Sequence, residues 1–83
     1  MNTRAAVIAI IVKENEAAGP LNAALHEYGE YIIGRMGIPY RERNIRVISI
    51  AIDAPMDIIN ALTGKIGRLD GVSAKAVYQK SID

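Results

Sequence analysis

The chain has 83 residues, a formal net charge of +1 and a hydrophobic fraction of 51%, with no cysteine, tryptophan or phenylalanine. A chain of that length makes one small domain, residues 1–83, which buries only roughly 60% of its unfolded surface and must fill its core with Ile, Val, Leu and Ala. The missing cysteines exclude disulfides, thiolate catalysis and cysteine-based zinc sites, and the near-neutral charge argues against a general polyanion-binding role.

Arg4–Lys13 (RAAVIAIIVK) is apolar on both alternating faces, with Ala5, Val7, Ala9 and Ile11 on one and Ala6, Ile8, Ile10 and Val12 on the other. Such a run predicts a strand interior to its sheet and covered on both sides. A positive start before a short apolar run has the outline of a signal peptide, but Lys13-Glu14-Asn15-Glu16 follows where a cleavage site would stand. The run is also too short to span a bilayer. The expectation is a mature cytoplasmic protein without membrane attachment.

Asn15 is the expected N-cap of the first helix, although Gly19-Pro20 interrupts it, so the helix either starts raggedly or restarts with Pro20 in its first turn. Leu21, Ala24, Leu25 and Tyr28 keep the helical period, and Gly29 stands as its C′ residue. Tyr31–Tyr40 is predicted as a second strand, with Pro39-Tyr40 breaking it. Ile45–Asp53 is predicted as a third strand, joined to the second as a hairpin by Arg41-Glu42-Arg43-Asn44. Asp53 or Ala54 then caps a second helix with Pro55 in its first turn, Asp57 near its positive end, and a buried stripe of Ile58, Ile59, Leu62 and Ile66. Asp70-Gly71 turns the chain into a last strand, Val72–Lys80.

This β-α-β-β-α-β order is the α+β, ferredoxin-like split βαβ unit. Right-handed crossovers give a four-stranded antiparallel sheet of order 4-1-3-2 with both helices on one face. The other face is then apolar and bare in a single copy. A bare apolar sheet of this size marks an interface, so a homo-oligomer, dimer or tetramer, is expected.

His26–Arg43 (HEYGEYIIGRMGIPYRER) is the segment to which chemistry can be assigned. Glycines inside a strand mark a bulge or a close approach by a ligand or another backbone, and the arginine between them is a planar five-donor group suited to carboxylate or phosphate. Gly34, Arg35, Met36, Gly37, Tyr40 and Arg41 are therefore the candidate ligand-binding residues for a small anionic effector. The same residues also fit an ion-paired edge strand, with Glu30, Glu42 and Asp53 as counter-charges to Arg35, Arg41, Arg43 and Arg46. Arg35 and Gly37 share one side of such a strand, Gly34 and Met36 the other. His26, the one histidine, is the candidate metal ligand, with Glu27, Glu30 or a symmetry copy of itself. No second histidine or cysteine is present to activate a hydroxyl, no phosphate-binding loop or dinucleotide fingerprint occurs, and an enzyme is not expected. The central strands lack the aromatics on which RNA-recognition domains of this fold stack bases, so no direct nucleic-acid contact is expected either. No cofactor is specified by the residues.

Two stretches, HEYGEYIIGRMGIPYRERNIRVISIAIDAP and GKIGRLDGVSAKAVYQK, resemble the family named as putative regulators of the iron-only hydrogenase system. The resemblance covers nearly the whole chain and departs at Gly19-Pro20, which bears on the start of the first helix. That family is similar to the C-terminal domain of nickel-responsive repressors and, more distantly, to ACT regulatory domains. The resemblance implies an oligomeric effector-binding regulatory module without its own DNA-binding domain. The alternatives are a ligand-free protein–protein adaptor and a metal sensor using His26. The nickel ligands of those repressors, several histidines and a cysteine, do not carry over to a chain with one histidine and no cysteine.

Overall fold

The computed structural model describes residues 2–13 and 17–80. Strand β1 (Arg4–Lys13) is flanked by β3 (Ile45–Ala54) and β4 (Val72–Tyr78), and β2 (Ile32–Tyr40) closes the far edge beside β3. The sheet is antiparallel in the order β2-β3-β1-β4, the same order as 4-1-3-2 read from the other edge. Helices α1 (Ala18–Glu27) and α2 (Met56–Gly67) are the connections β1–β2 and β3–β4.

Register follows from the strand period. Ile8 lies opposite Ile50 and Ala76, and Ile10 opposite Ile48 and Ala74. These residues, with Ala6, Val12 and Ile52, form the helix-covered face, packed against Leu21, Ala24 and Leu25 of α1 and Ile59, Leu62 and Ile66 of α2. Each fully buried isoleucine or leucine here contributes about 1.5–3 kcal/mol relative to exposure, and Ile8, Ile10, Ile50, Ile52, Ile59, Leu62 and Ile66 all have 0% exposure. The helix stripes are those expected, with Ile58 only half-buried.

Several ends differ from expectation for local reasons. The expected cap Asn15 lies outside the described residues, and Ala17 precedes α1 without a side-chain cap. After Tyr28 the chain tightens into a 3₁₀ turn, Gly29–Tyr31, closed by Tyr31 N–H donating to Tyr28 O at 3.0 Å, so β2 starts at Ile32. Among the described glycines only Gly71 has positive φ, so Gly29 is not a left-handed cap. Pro39 does not break β2: it remains paired opposite Arg46, tolerated because β2 is an edge strand and its outer side needs no donor. Pro55 precedes α2 rather than lying in its first turn, and β3 runs on to Ala54 opposite Arg4. Strand β4 ends at Tyr78, short of Lys80. There Gln79 turns its side chain to the neighbour: its N–H donates to Ala5 O at 2.8 Å and its Oε1 accepts from Ala5 N–H at 3.1 Å.

The two turns use left-handed residues as their chemistry allows. Asn44 (φ 55°) closes the 3₁₀ turn Arg41–Arg43 of the β2–β3 hairpin, and Gly71 (φ 76°) sets the start of β4. Gly71 O accepts from Lys13 N–H at 2.7 Å, which ties the end of β1 to the start of β4. The helices are joined at the surface by Lys65 Nζ donating to Glu27 Oε1 at 2.5 Å, and Tyr78 OH donates to Asn60 Oδ1 between β4 and α2.

Candidate functional site: a cleft under helix α1 and an open sheet face

The glycine-arginine strand is divided by its own period. Arg35 lies opposite Ile50 and Gly37 opposite Ile48, so both belong to the helix-covered side. Gly34 opposite Ala51, Met36 opposite Ser49 and Tyr40 opposite Ile45 belong to the other side. Arg41 sits in the hairpin turn. The six candidate residues thus contribute to two surfaces, not one.

On the helix side, a cleft of about 130 Å³ lies between α1 and the β2–β3 hairpin, lined by Val12, Ala18, Leu21, Asn22, Arg35, Arg46 and Ile48. Its floor is core: Val12, Leu21 and Ile48 are 1%, 2% and 4% exposed. Its polar groups are two guanidinium-bearing side chains and one amide. Arg35 Nη2 donates to Asn22 Oδ1 at 3.4 Å, a long bond that engages one of five donors. Among the described residues the only ion pair is Lys65–Glu27. Within one copy, then, neither Glu30, Glu42 nor Asp53 takes up the counter-charge role toward these arginines. Gly37 occupies the β2 position between Arg35 and Pro39; a Cβ there would rest on Ile48 Cγ1 at 3.7 Å, so a larger side chain would enter space beside the cleft.

His26 lines a second, shallower groove beyond Arg35, with Asn22, Leu25, Gly29 and Ile32. Among the described residues no three of His, Cys, Asp and Glu come together as metal ligands.

Among the described residues the other side of the sheet carries no helix. Val7 and Ile11 of β1, Met36 and Ile38 of β2, Val47 of β3 and Val77 of β4 stand on it, between 41% and 68% exposed. Cross-strand pairing makes them neighbours: Val7 faces Val77 and Ala51, and Ile11 and Ile38 both face Val47. Gly34 lies in this surface beside the bulge at Ile32/Gly34, and a Cβ on it would meet nothing within 4 Å. Among the described residues nothing therefore requires a glycine there. Among the described residues no helix is long and apolar enough to cross a membrane.

Sequence reasoning singled out Arg35 and Gly37 but left Asn22, Ile48, Val12 and Leu21 out of the site and placed Arg46 only in the surrounding run of arginines. The hairpin register held the signal: a turn at 41–44 sets Pro39 opposite Arg46, and alternation then gathers Arg35, Gly37, Ile48 and Arg46 on one face.

Residues 4–76 match the TM1266-like family, described as "Iron-only hydrogenase system regulator, putative". Among solved structures, the chain is similar to the uncharacterized protein TM1266 from Thermotoga maritima, with a TM-score of 0.90 and 36% identity over 95% of this chain and 100% of that one. No curated protein matches the chain.

Proposed function

Since this chain belongs to the TM1266-like family, described as "Iron-only hydrogenase system regulator, putative", we propose that it works as an oligomeric effector-binding module, in which copies join through the open sheet face and a small anion is held near Arg35. The observation that carries this reading is the contiguous apolar surface of Val7, Ile11, Met36, Ile38, Val47 and Val77. Large contiguous patches of this kind are rare on solitary soluble domains. Four strands about 4.8 Å apart and seven to ten residues long give a face of about 500 Å². Two such faces together reach the range of about 1,000 Å² at which a specific interface becomes stable. Lys13 and Asp53 stand at opposite ends of this face and Lys75 on its β4 edge, opposite Ala9, so charges frame the apolar residues. The central strands offer Ile, Val and Ala where nucleic-acid binders of this fold carry aromatics, so regulation runs through association with a partner or with an effector, not through bases stacked on the sheet.

The test is a pair of substitutions read by size-exclusion chromatography with light scattering. Val47→Asp places an unpaired carboxylate on the open face of each copy and weakens association by about 3 kcal/mol or more, over a hundredfold. Met56→Asp alters an equally exposed apolar residue in the first turn of α2, where a carboxylate suits the helix dipole, and leaves assembly unchanged. Equal behaviour of the two variants would remove the support for this face.

A further inference from the structure

We propose that the cleft between α1 and the β2–β3 hairpin takes a small aliphatic monocarboxylate, its head held by Arg35 and Arg46 and its tail lying on Val12, Leu21 and Ile48. This assignment rests on the effector-binding reading above and names the class of ligand.

Size is the first argument. A cleft of about 130 Å³ is close to the engineered cavity of about 150 Å³ that takes one benzene, so the occupant has about six non-hydrogen atoms. Pockets for nucleotide- or drug-sized ligands run to about 300–1,000 Å³, which excludes a nucleotide from full burial here. The lining is the second. Three nearly buried aliphatic side chains form the floor, and an inorganic phosphate gains nothing from them beyond what its contact with the arginines supplies. A short alkyl group gains from the same floor.

Charge is the third. Two guanidinium groups share one half-enclosed cleft, and no described carboxylate pairs with either. Both arginines are exposed and carry like charge, and a carboxylate inserted between them attracts each. Arginine matches a carboxylate in two parallel hydrogen bonds, and Arg35 gives up only a long bond to Asn22 to make them. Gly37 keeps the β2 side of the cleft free of a side chain between the two arginines. Glu14 and Glu16 precede Ala17 in the chain, so the test includes their removal.

The experiment titrates the native chain, and a Glu14→Gln/Glu16→Gln variant, with isobutyrate, isobutyramide and inorganic phosphate, following amide chemical shifts and Tm. Isobutyrate shifts the Asn22 side-chain amide and the Ile48 backbone saturably and raises Tm in at least one of the two chains; the neutral amide and phosphate do neither. Arg35→Ala and Arg46→Ala each weaken isobutyrate by about tenfold or more, the loss expected for one charged hydrogen bond. Gly37→Leu abolishes binding while assembly persists, because it lies on the side of the sheet away from the open face. The inference is overturned if isobutyrate is silent in both chains, if binding survives both arginine substitutions, or if isobutyramide binds as well. Binding of phosphate through Arg35 with isobutyrate silent would overturn the carboxylate assignment and leave the effector-binding reading standing.

Discussion

Gly71 is the position at which one added methyl group should do the most damage outside the core. Its φ of 76° is a left-handed conformation, which costs an L-residue about 1–2 kcal/mol. A Cβ there would lie 3.0 Å from Lys13 O. That carbonyl cannot retreat freely, because Lys13 N–H donates to Gly71 O at 2.7 Å in the same clamp. Relieving the clash sacrifices part of that bond, worth about 0.5–1.5 kcal/mol, while alanine recovers about 0.4–1 kcal/mol by restricting the unfolded chain. The net loss for Gly71→Ala is about 2 kcal/mol, or a fall in Tm of about 8–16 °C for a domain this small. Gly19→Ala is the matched control: nothing lies within 4 Å of its Cβ and it sits in helix α1, so its Tm holds or rises. Calorimetric melts of the native chain and both variants decide the matter. A Gly71→Ala melt within about 2 °C of the native one would refute the clamp, and with it the account of how the end of β1 holds Val12 under the cleft.

Other consequences can be checked alongside. Leu62, fully buried between α2 and the sheet, loses its packing in Leu62→Ala, which lowers unfolding free energy by about 2–5 kcal/mol in urea titrations. Asn44→Gly leaves stability nearly unchanged, because glycine adopts the hairpin's left-handed φ of 55° without strain. The hydrogen bond that the Lys65 ammonium donates to Glu27 holds it above its ordinary value, with desolvation opposing and a coulombic contribution from Glu27 in the same direction. A raised folded value means that this stabilisation is complete below the ordinary lysine value of about 10.4 and is lost as pH climbs through the raised one. Urea midpoints across the alkaline range should therefore fall more for the native chain than for Glu27→Gln; parallel losses would show that the pair contributes nothing.

Much of this architecture could be read from residues alone, because the strongest patterns are local. The two-sided apolar run of β1 demands a central strand, the stripe Ile59, Leu62, Ile66 demands a helix on one face, and Asp70-Gly71 demands a turn. Boundaries were less legible where tertiary partners decide them. Pro39 stays in β2 because the strand lies at the sheet edge, and β4 stops at Tyr78 because the Gln79 side chain takes over the pairing with Ala5. The candidate site was legible as a segment but not as a place. Alternation separates Arg35 and Gly37 from Gly34, Met36 and Tyr40, yet only the position of α1 shows that the first pair faces a cleft and the others the open sheet. Asn22 was invisible for the same reason: one residue past a core leucine, it joins the cleft only through the packing of α1 against β2.

The most direct measurement of the central idea is sedimentation equilibrium of the native chain over the micromolar range. Burial of Val7, Ile11, Met36, Ile38, Val47 and Val77 between copies predicts a mass at least twice that of one chain, reverting toward a single chain in Val47→Asp. A native chain that sediments as one copy throughout that range, its open face in contact with water alone, would contradict it.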